Sequence, residues 1–323
     1  MNIPAEGPPG YDIGDILELH ILQTQTNLLR QSDKVSVRIN QLITNTMATV
    51  ARVSFDTGCA VLKLYDRRFG TQFRKCYNKN IPYFDQAKAA YHSFLQRGAM
   101  GPFIEELDDE QSKTDVIPRT TREIRDEPDG VARFEAALWR SAHNHFKTET
   151  EAYMRMQDLQ GVLIPKLYAV VRVVTKENSL ENGYLDVPGI LLEPIAGHSL
   201  SDLLDAPCAP VTKQEWSSII QRAVDSAHEI NKRGIVLDDS APRNVAVDQT
   251  SHQPFLVDFA QVHNNPAAIG LPMERRLRKK FGWKLDIAYP ESDDLLSKSK
   301  CQTPEQQGCH LIAGSVGVPD TEA

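Results

Sequence analysis

The strongest constraint on this chain lies in the stretch 234–262, GIVLDDSAPRNVAVDQTSHQPFLVDFAQV. Two short apolar runs (Val245, Ala246, Val247 and Phe255, Leu256, Val257) flank a polar turn at 249–253, the pattern of a β-hairpin. Asp239 and Asn244 precede the first run, and Asp258 follows the second. An apolar strand that ends abruptly in a carboxylate holds a charge rigidly at the mouth of a cleft. Three such oxygen-bearing side chains on one small sheet point to a divalent cation with phosphate oxygens, since hard cations take oxygen ligands.

The whole chain must be compatible with that site. Its 323 residues can bury a substantial core and predict about two domains or lobes. A net charge of −7 argues against nucleic acid as a main partner, which usually needs a basic face. No apolar run approaches the roughly 18 residues of a membrane span. The first residues are polar, acidic and rich in Gly and Pro, unlike a signal or transit peptide. Five scattered cysteines without a C-x-x-C pair predict neither a zinc site nor a disulfide framework, and reduced thiols imply a cytoplasmic protein.

In chain order, residues 1–15 read as a flexible lead, and 16–21 (ILELHI) fits either an added strand or a short helix. Alternation over 35–39, 48–55 and 60–65, with a turn at Asp56, Thr57 and Gly58, predicts an antiparallel meander. Residues 84–95 and 103–107 have helical spacing around a break at 98–101, whereas the highly charged 108–130 reads as an exposed loop. Helical periodicity returns over 134–153 and extends toward 161; 166–175 and 189–195 then read as strands. Thr212 with Glu215 is a capping box, opening a helix whose apolar face includes Trp216, Ile219 and Ala223 and which Gly234 closes. Residues 272–281 predict a short helix and 301–323 a disordered tail. The basic runs at Arg67, Arg68, Arg74 and Lys75, and at 275–280, read as solvated faces. His143 and His145, two apart, diverge on a helix and make a poor metal pair.

These residues carry a resemblance. Asp239 and Asn244 are five apart and Asp258-Phe259 begins nineteen beyond Asp239, which resembles the catalytic loop and D-F-G element of the protein-kinase-like superfamily. Val61-Leu62-Lys63 resembles its third-strand lysine motif, and Glu149 in FKTETEAY resembles the glutamate of its helix αC. LLEPIAG at 191–197 looks like the hinge between lobes. LKLYDRRF (62–69) and LQGVLIPKLY (159–168) are similar to a kinase-like group common in fungi. With 65 residues after Asp258, the end of the chain is similar to the compact RIO and aminoglycoside-phosphotransferase branches.

The resemblance covers about 35–261 and implies an α+β, two-lobed protein-kinase-like fold. Its expected parts are an antiparallel-sheet N-lobe at 16–194 with a helical insertion at about 78–144, and a short helical C-lobe at 195–300. The implied activity is Mg-ATP-dependent transfer of the γ-phosphate to a hydroxyl of a small molecule or specialised protein. By the same resemblance Lys63 holds the α/β-phosphates, Glu149 fixes its ammonium, Asn244 and Asp258 bind Mg²⁺, and Asp239 orients the acceptor hydroxyl. The backbone of Glu193 and Ile195 would bond adenine with Leu192 beside it, and Thr44 and Thr46 would stand in the phosphate-covering turn.

The glycine-free turn at 44–47, Leu237 and the short end of the chain define the alternative, a pseudokinase acting as a binding or scaffold protein, and Asp238 and Ala260 are further departures from the pattern. Leu237 stands in place of the catalytic-loop histidine, Asp238 in place of arginine, and Ala260 in place of the D-F-G glycine. The turn at 44–47 has no glycine, so Cβ atoms hinder close backbone approach to phosphates.

Overall fold

Alternation of apolar and polar residues builds the first sheet, and its pairing partners come from far along the chain. The computed structural model describes residues 10–25, 29, 33–76, 78–113, 117–174 and 183–264. Strands β1 (Ile16–Thr24), β2 (Lys34–Asn45), β3 (Thr49–Phe55) and β4 (Gly58–Leu64) form an antiparallel succession. A short hairpin, β5 (Lys75–Cys76) with β6 (Lys79–Asn80), precedes four helices: α1 (Asp85–Gln96), α2 (Met100–Ser112), α3 (Thr121–Asp126) and α4 (Gly130–Arg155). Strands β7 (Leu167–Val173) and β8 (Pro188–Leu192) then return to the first sheet. Beyond them lie β9 (Gly197–Ser199), α5 (Lys213–Asn231), β10 (Ile235–Leu237), β11 (Val245–Asp248), β12 (Pro254–Leu256) and β13 (Val262–Asn264). No described helix is long and apolar enough to cross a membrane.

The α+β content agrees with expectation, but the two-lobed protein-kinase-like fold, with an antiparallel-sheet N-lobe carrying a helical insertion and a short helical C-lobe, is overturned. The sheet closes into a six-stranded antiparallel barrel in the order β1-β2-β3-β4-β8-β7. Closure comes from β1, which pairs with β2 on one side and with β7 on the other, Leu19 facing Val173 and Val35. An open sheet would leave the N–H and C=O groups of two edge strands unpaired, and closure removes both edges. Register shifts in β1 between Ile21 and Gln23, and in β2 between Ile39 and Gln41 and between Leu42 and Thr44, supply the local bends that curvature needs. Residues 16–21 are therefore a strand, settling the ambiguity of that segment.

Inside the barrel sit Leu19, Val37, Val53, Leu62, Val171 and Leu191, all buried. The side chains that alternate with them on β4, β7 and β8 point outward, yet Val170, Ile190 and Leu192 are also buried, in a second core shared with α5 and β10–β12. Burial on both faces explains why 166–175 and 189–195 read as nearly continuous apolar runs.

The charged segment 108–130 is not a loop throughout. Helix α2 continues to Ser112 and α3 is capped by a Thr120–Glu123 capping box. The charges neutralise one another: Arg119 lies 2.6 Å from both Glu106 and Glu110 and 2.8 Å from Glu127, and Arg140 bonds Asp108 at 2.6 Å. Helices α1–α3 pack on α4 through Tyr91, Phe94, Phe103, Leu107 and Ile124.

Two further expectations change. Arg67 and Arg74 are buried against Glu135 rather than solvated, and Arg68 bonds buried Asp66 at 2.6 Å. Of the expected flexible lead, 1–9 lie outside the described residues. The part that is described is anchored: Tyr11 is buried and donates to Asp66 at 2.6 Å, and Ile39 N–H donates to the Asp15 carbonyl at 2.9 Å. The expected helix at 272–281, the basic run at 275–280 and the tail at 301–323 also lie outside the described residues.

The 44–47 turn packs on the loop after β4. The Thr46 carbonyl accepts from the N–H groups of Gln72 and Phe73, both at 3.2 Å, and Gly70 passes beneath it at φ 101°. A Cβ at Gly70 would lie 2.5 Å from that carbonyl oxygen and 2.8 Å from the Phe73 Cβ. Gly70→Ala is accordingly expected to destabilise the fold by about 1–3 kcal/mol, measured by urea denaturation. Wild-type stability in that variant would show that the turn yields freely.

Candidate functional site

Lys63 lies on β4 between Leu62 and Leu64, which face the barrel interior, so strand alternation sends its side chain to the outer wall. There α4 covers it, and the side chain is only 7% exposed. A buried ammonium is tolerated when it is paired, and two carboxylates meet it. Nζ donates to Glu149 Oε2 at 2.6 Å and to Asp258 Oδ1 at 2.7 Å. Glu149 comes from α4 and is fully buried; the Tyr65 hydroxyl also donates to its Oε2. Asp258 follows β12 at φ 70°, a left-handed conformation that Asp tolerates. That turn keeps the Asp258 side chain 42% exposed while the next residue, Phe259, is fully buried edge-on to Tyr153 at 5.3 Å. Asp258 is thus the member of the trio that opens outward.

The electrostatics follow from this arrangement. Burial would lower the Lys63 pKa, but Asp258 and Glu149 outweigh it and hold the ammonium charged. Burial also pushes the Asp258 carboxyl up, and the Lys63 ammonium overcomes that effect to keep it below its ordinary value. In Glu149 burial prevails, assisted by the Asp258 charge, and its carboxyl lies above the usual range despite Lys63 and Tyr65. His145, one turn before Glu149 on α4, is pushed down to about 4 by burial first and by the Lys63 charge second.

A second cluster forms at the other end of the hairpin. Strands β11 and β12 pair with Val245 opposite Leu256, and the Val257 N–H donates to the Asn244 carbonyl at 2.9 Å. Asn244 therefore sits at the open end of the hairpin, beside the segment that carries Asp258. Asn244 Nδ2 donates to the Asp239 carbonyl at 2.8 Å and to its Oδ2 at 3.1 Å. Arg243, with a side chain 64% exposed, donates to the same Oδ2 at 2.6 Å. Leu237, in β10, is buried in the core with Phe259. An apolar side chain at that position contributes packing.

The chemistry of the donors fits Mg²⁺. Asn244 spends its amide N–H groups on Asp239, leaving Oδ1 as acceptor, and Asp258 offers a partly exposed carboxylate. Among the described residues no three His, Cys, Asp or Glu side chains group as a metal site. One amide and one carboxylate suit an ion that keeps water and phosphate ligands in place of an all-protein cage.

Of the remaining expected residues, Leu192 lies on the same wall, and no contact joins Thr44, Thr46, Glu193 or Ile195 to Lys63 among the described residues. Leu192 pairs with Val61, and Ile190 with Lys63, so Leu192 shares the outer face of the sheet with Lys63. The Glu193 N–H donates to the Lys166 carbonyl at 2.9 Å, and its carboxylate accepts from the Lys166 N–H at 3.1 Å. The backbone N–H of Glu193 is therefore committed, while Ile195 beside it is half-buried. Thr44 and Thr46 bond each other, hydroxyl to hydroxyl at 3.3 Å. Lys63, Glu149 and Asp258 thus form one contact and Asp239 with Asn244 another, joined by the β11–β12 hairpin.

Tyr65, Arg243 and His145 were not anticipated at the site. Tyr65 had a signal: it lies two residues beyond Lys63, the spacing that returns a side chain to the same strand face. Arg243 lies four after Asp239 and was legible only as part of the loop.

No protein-family model matches the chain, and no curated protein matches it.

His145 gives the site a pH signature. An unfolded imidazole titrates near 6.5, so between about pH 6.5 and 4 the unfolded chain binds the extra proton. The stability gained by keeping His145 neutral is complete above that window and is lost as the pH falls through it. His145→Gln should remove about 2–3 kcal/mol of the acid-side loss of stability. Urea denaturation of both proteins from pH 7.5 to 4.5 measures this, and parallel curves would exclude the assignment.

Proposed function

We propose that the chain is a Mg-ATP-dependent phosphotransferase of the protein-kinase-like superfamily, acting in the cytoplasm on a hydroxyl of a small molecule or a specialised protein. The observation that carries this reading is the ammonium of Lys63 held between Glu149 and Asp258, three residues drawn from β4, α4 and the end of β12. An ammonium carries three N–H donors. Glu149 and Asp258 take two, and the third is available to an α- or β-phosphate oxygen. Glu149 keeps the ammonium in place through this contact.

Asn244 and Asp258 would hold Mg²⁺, which on binding would neutralise charge on the transferring phosphate. Asp239 would orient the acceptor hydroxyl and take its proton late; Asn244 Nδ2 and Arg243 both donate to its Oδ2 and hold its rotamer. Leu192 would pack beside adenine, with the Glu193 carbonyl and Ile195 N–H as bonding groups. Thr44 and Thr46 would offer hydroxyls to phosphates where other proteins use glycine backbone. The free thiols of Cys59 and Cys208 agree with a reducing compartment.

Asp258→Ala is expected to abolish Mg-dependent ATP turnover while circular dichroism stays unchanged, and undiminished turnover would rule the reading out. A second reading, a pseudokinase that binds or scaffolds, is favoured by one observation: Arg243 already neutralises Asp239 at 2.6 Å. A thermal-shift titration separates the two. Saturating Mg-ATP at a hundred times its Kd should stabilise a competent site by about 2.7 kcal/mol. No Mg-dependent shift favours the scaffold, and product analysis distinguishes phosphate transfer from AMP transfer.

A further inference from the structure

The long helix α4 carries a second buried carboxylate whose partners lie on the same stretch of chain as Lys63. Glu135 Oε2 accepts from Arg67 at 2.7 Å and from Arg74 at 3.0 Å, and its Oε1 accepts from Arg74 at 2.5 Å. All three side chains are buried. Glu135 precedes Glu149 by fourteen residues, nearly four helical turns, so the two carboxylates share a face about 21 Å apart along the axis. The segment 63–76 runs along that face. Lys63 and Tyr65 bond Glu149 at one end, Arg67 and Arg74 bond Glu135 at the other. Between the two ends, Tyr65 and Phe73 pack on Phe134, Leu138 and Ala142.

The opposite side of α4 is occupied as well. Ala132, Ala136 and Ala137 pack into the core of α1–α3, and Arg140 bonds Asp108 on α2. The guanidinium of Arg67 lies 3.8 Å from the Tyr91 ring of α1 and 5.0 Å from the Tyr83 ring. Two buried guanidiniums share one carboxylate there, and these ring faces offset part of the excess positive charge. Helix α4 is therefore clamped between the 63–76 segment and the helices before it, and it cannot roll without breaking a buried ion cluster at one end or the other.

We propose that Glu135 is a positioning residue for Lys63: with Arg67 and Arg74 it fixes the far end of α4, so that the helices α1–α3 hold Glu149 against Lys63 permanently. Assembly of the Lys63–Glu149 pair then requires no modification and no partner. The inserted helices act as a built-in brace. The mechanical claim stands on the contacts just given; only its kinetic consequence rests on the proposed phosphotransfer.

Native-state amide exchange on the full chain tests it. In the unaltered protein, amides at 132–140 and 146–155 should open as one cooperative unit with a common denaturant dependence. In Glu135→Gln, exchange at 146–155 should accelerate about tenfold or more, some 20 Å from the substitution, while α5 is unchanged. Arg74→Lys keeps the charge but loses the two-pronged contact, and should give a smaller change in the same direction. In both variants kcat for Mg-ATP turnover should fall with the acceptor KM unchanged. Exchange that accelerates only near 135, or separate opening of 146–155 in the unaltered chain, overturns the proposal; the latter measurement decides even if Glu135→Gln does not fold. Absence of turnover in the unaltered chain would remove the phosphotransferase reading and leave the exchange result to judge the brace.

Discussion

The Lys63 ammonium must be paired because it is buried, and that requirement ties the molecule together. An isolated charge in this position would cost several kcal/mol, and Lys63 escapes that cost because α4 brings Glu149 and the end of β12 adds Asp258. The barrel interior sets β4, the packing of 65–76 and α1–α3 sets the first turns of α4, and the α5 cluster sets β12 while also taking in Ala152 and Tyr153 at the far end of α4. Several packed cores therefore converge on one contact a few ångströms across. That over-determination keeps Lys63 and Asp258 together although 195 residues separate them.

The parts of this arrangement that were legible in the sequence depend on local patterns. The β11–β12 hairpin follows from two apolar runs around a polar turn, and α5 from the Thr212–Glu215 capping box, which forms as expected. Lys63, Glu149, Asp239, Asn244 and Asp258 were singled out by order and spacing, through a resemblance, and they fall in two side-chain clusters, Lys63 with Glu149 and Asp258 in one and Asp239 with Asn244 in the other. What was not legible depends on partners distant in sequence. Closure of the barrel rests on Leu19 meeting Val173, a pairing no local window contains. Arg67 and Arg74 read as a solvated basic run because their carboxylate, Glu135, comes more than sixty residues later. The charged 108–130 stretch read as a loop because the ion pairs that let it fold are made between α2, α3 and α4, not within one helix.

Barrel closure also decides where chemistry can occur. A six-stranded barrel is narrow, and here Leu19, Val37, Val53, Leu62, Val171 and Leu191 pack its interior with apolar side chains. Every polar residue of the candidate site therefore lies on the outer wall or beyond it. On most of a barrel that wall faces water, but over β4, β8 and β7 it is covered by α4 and the α5 core. The covered wall provides a dry, rigid surface from which Lys63 projects with its rotamer fixed by neighbours. Asp258 meets it from the far side with almost half its side chain exposed. The same contact thus has a rigid buried half, supplied by barrel and helix, and an open half, supplied by the hairpin. A group entering from solvent would meet Asp258 first and reach Lys63 behind it.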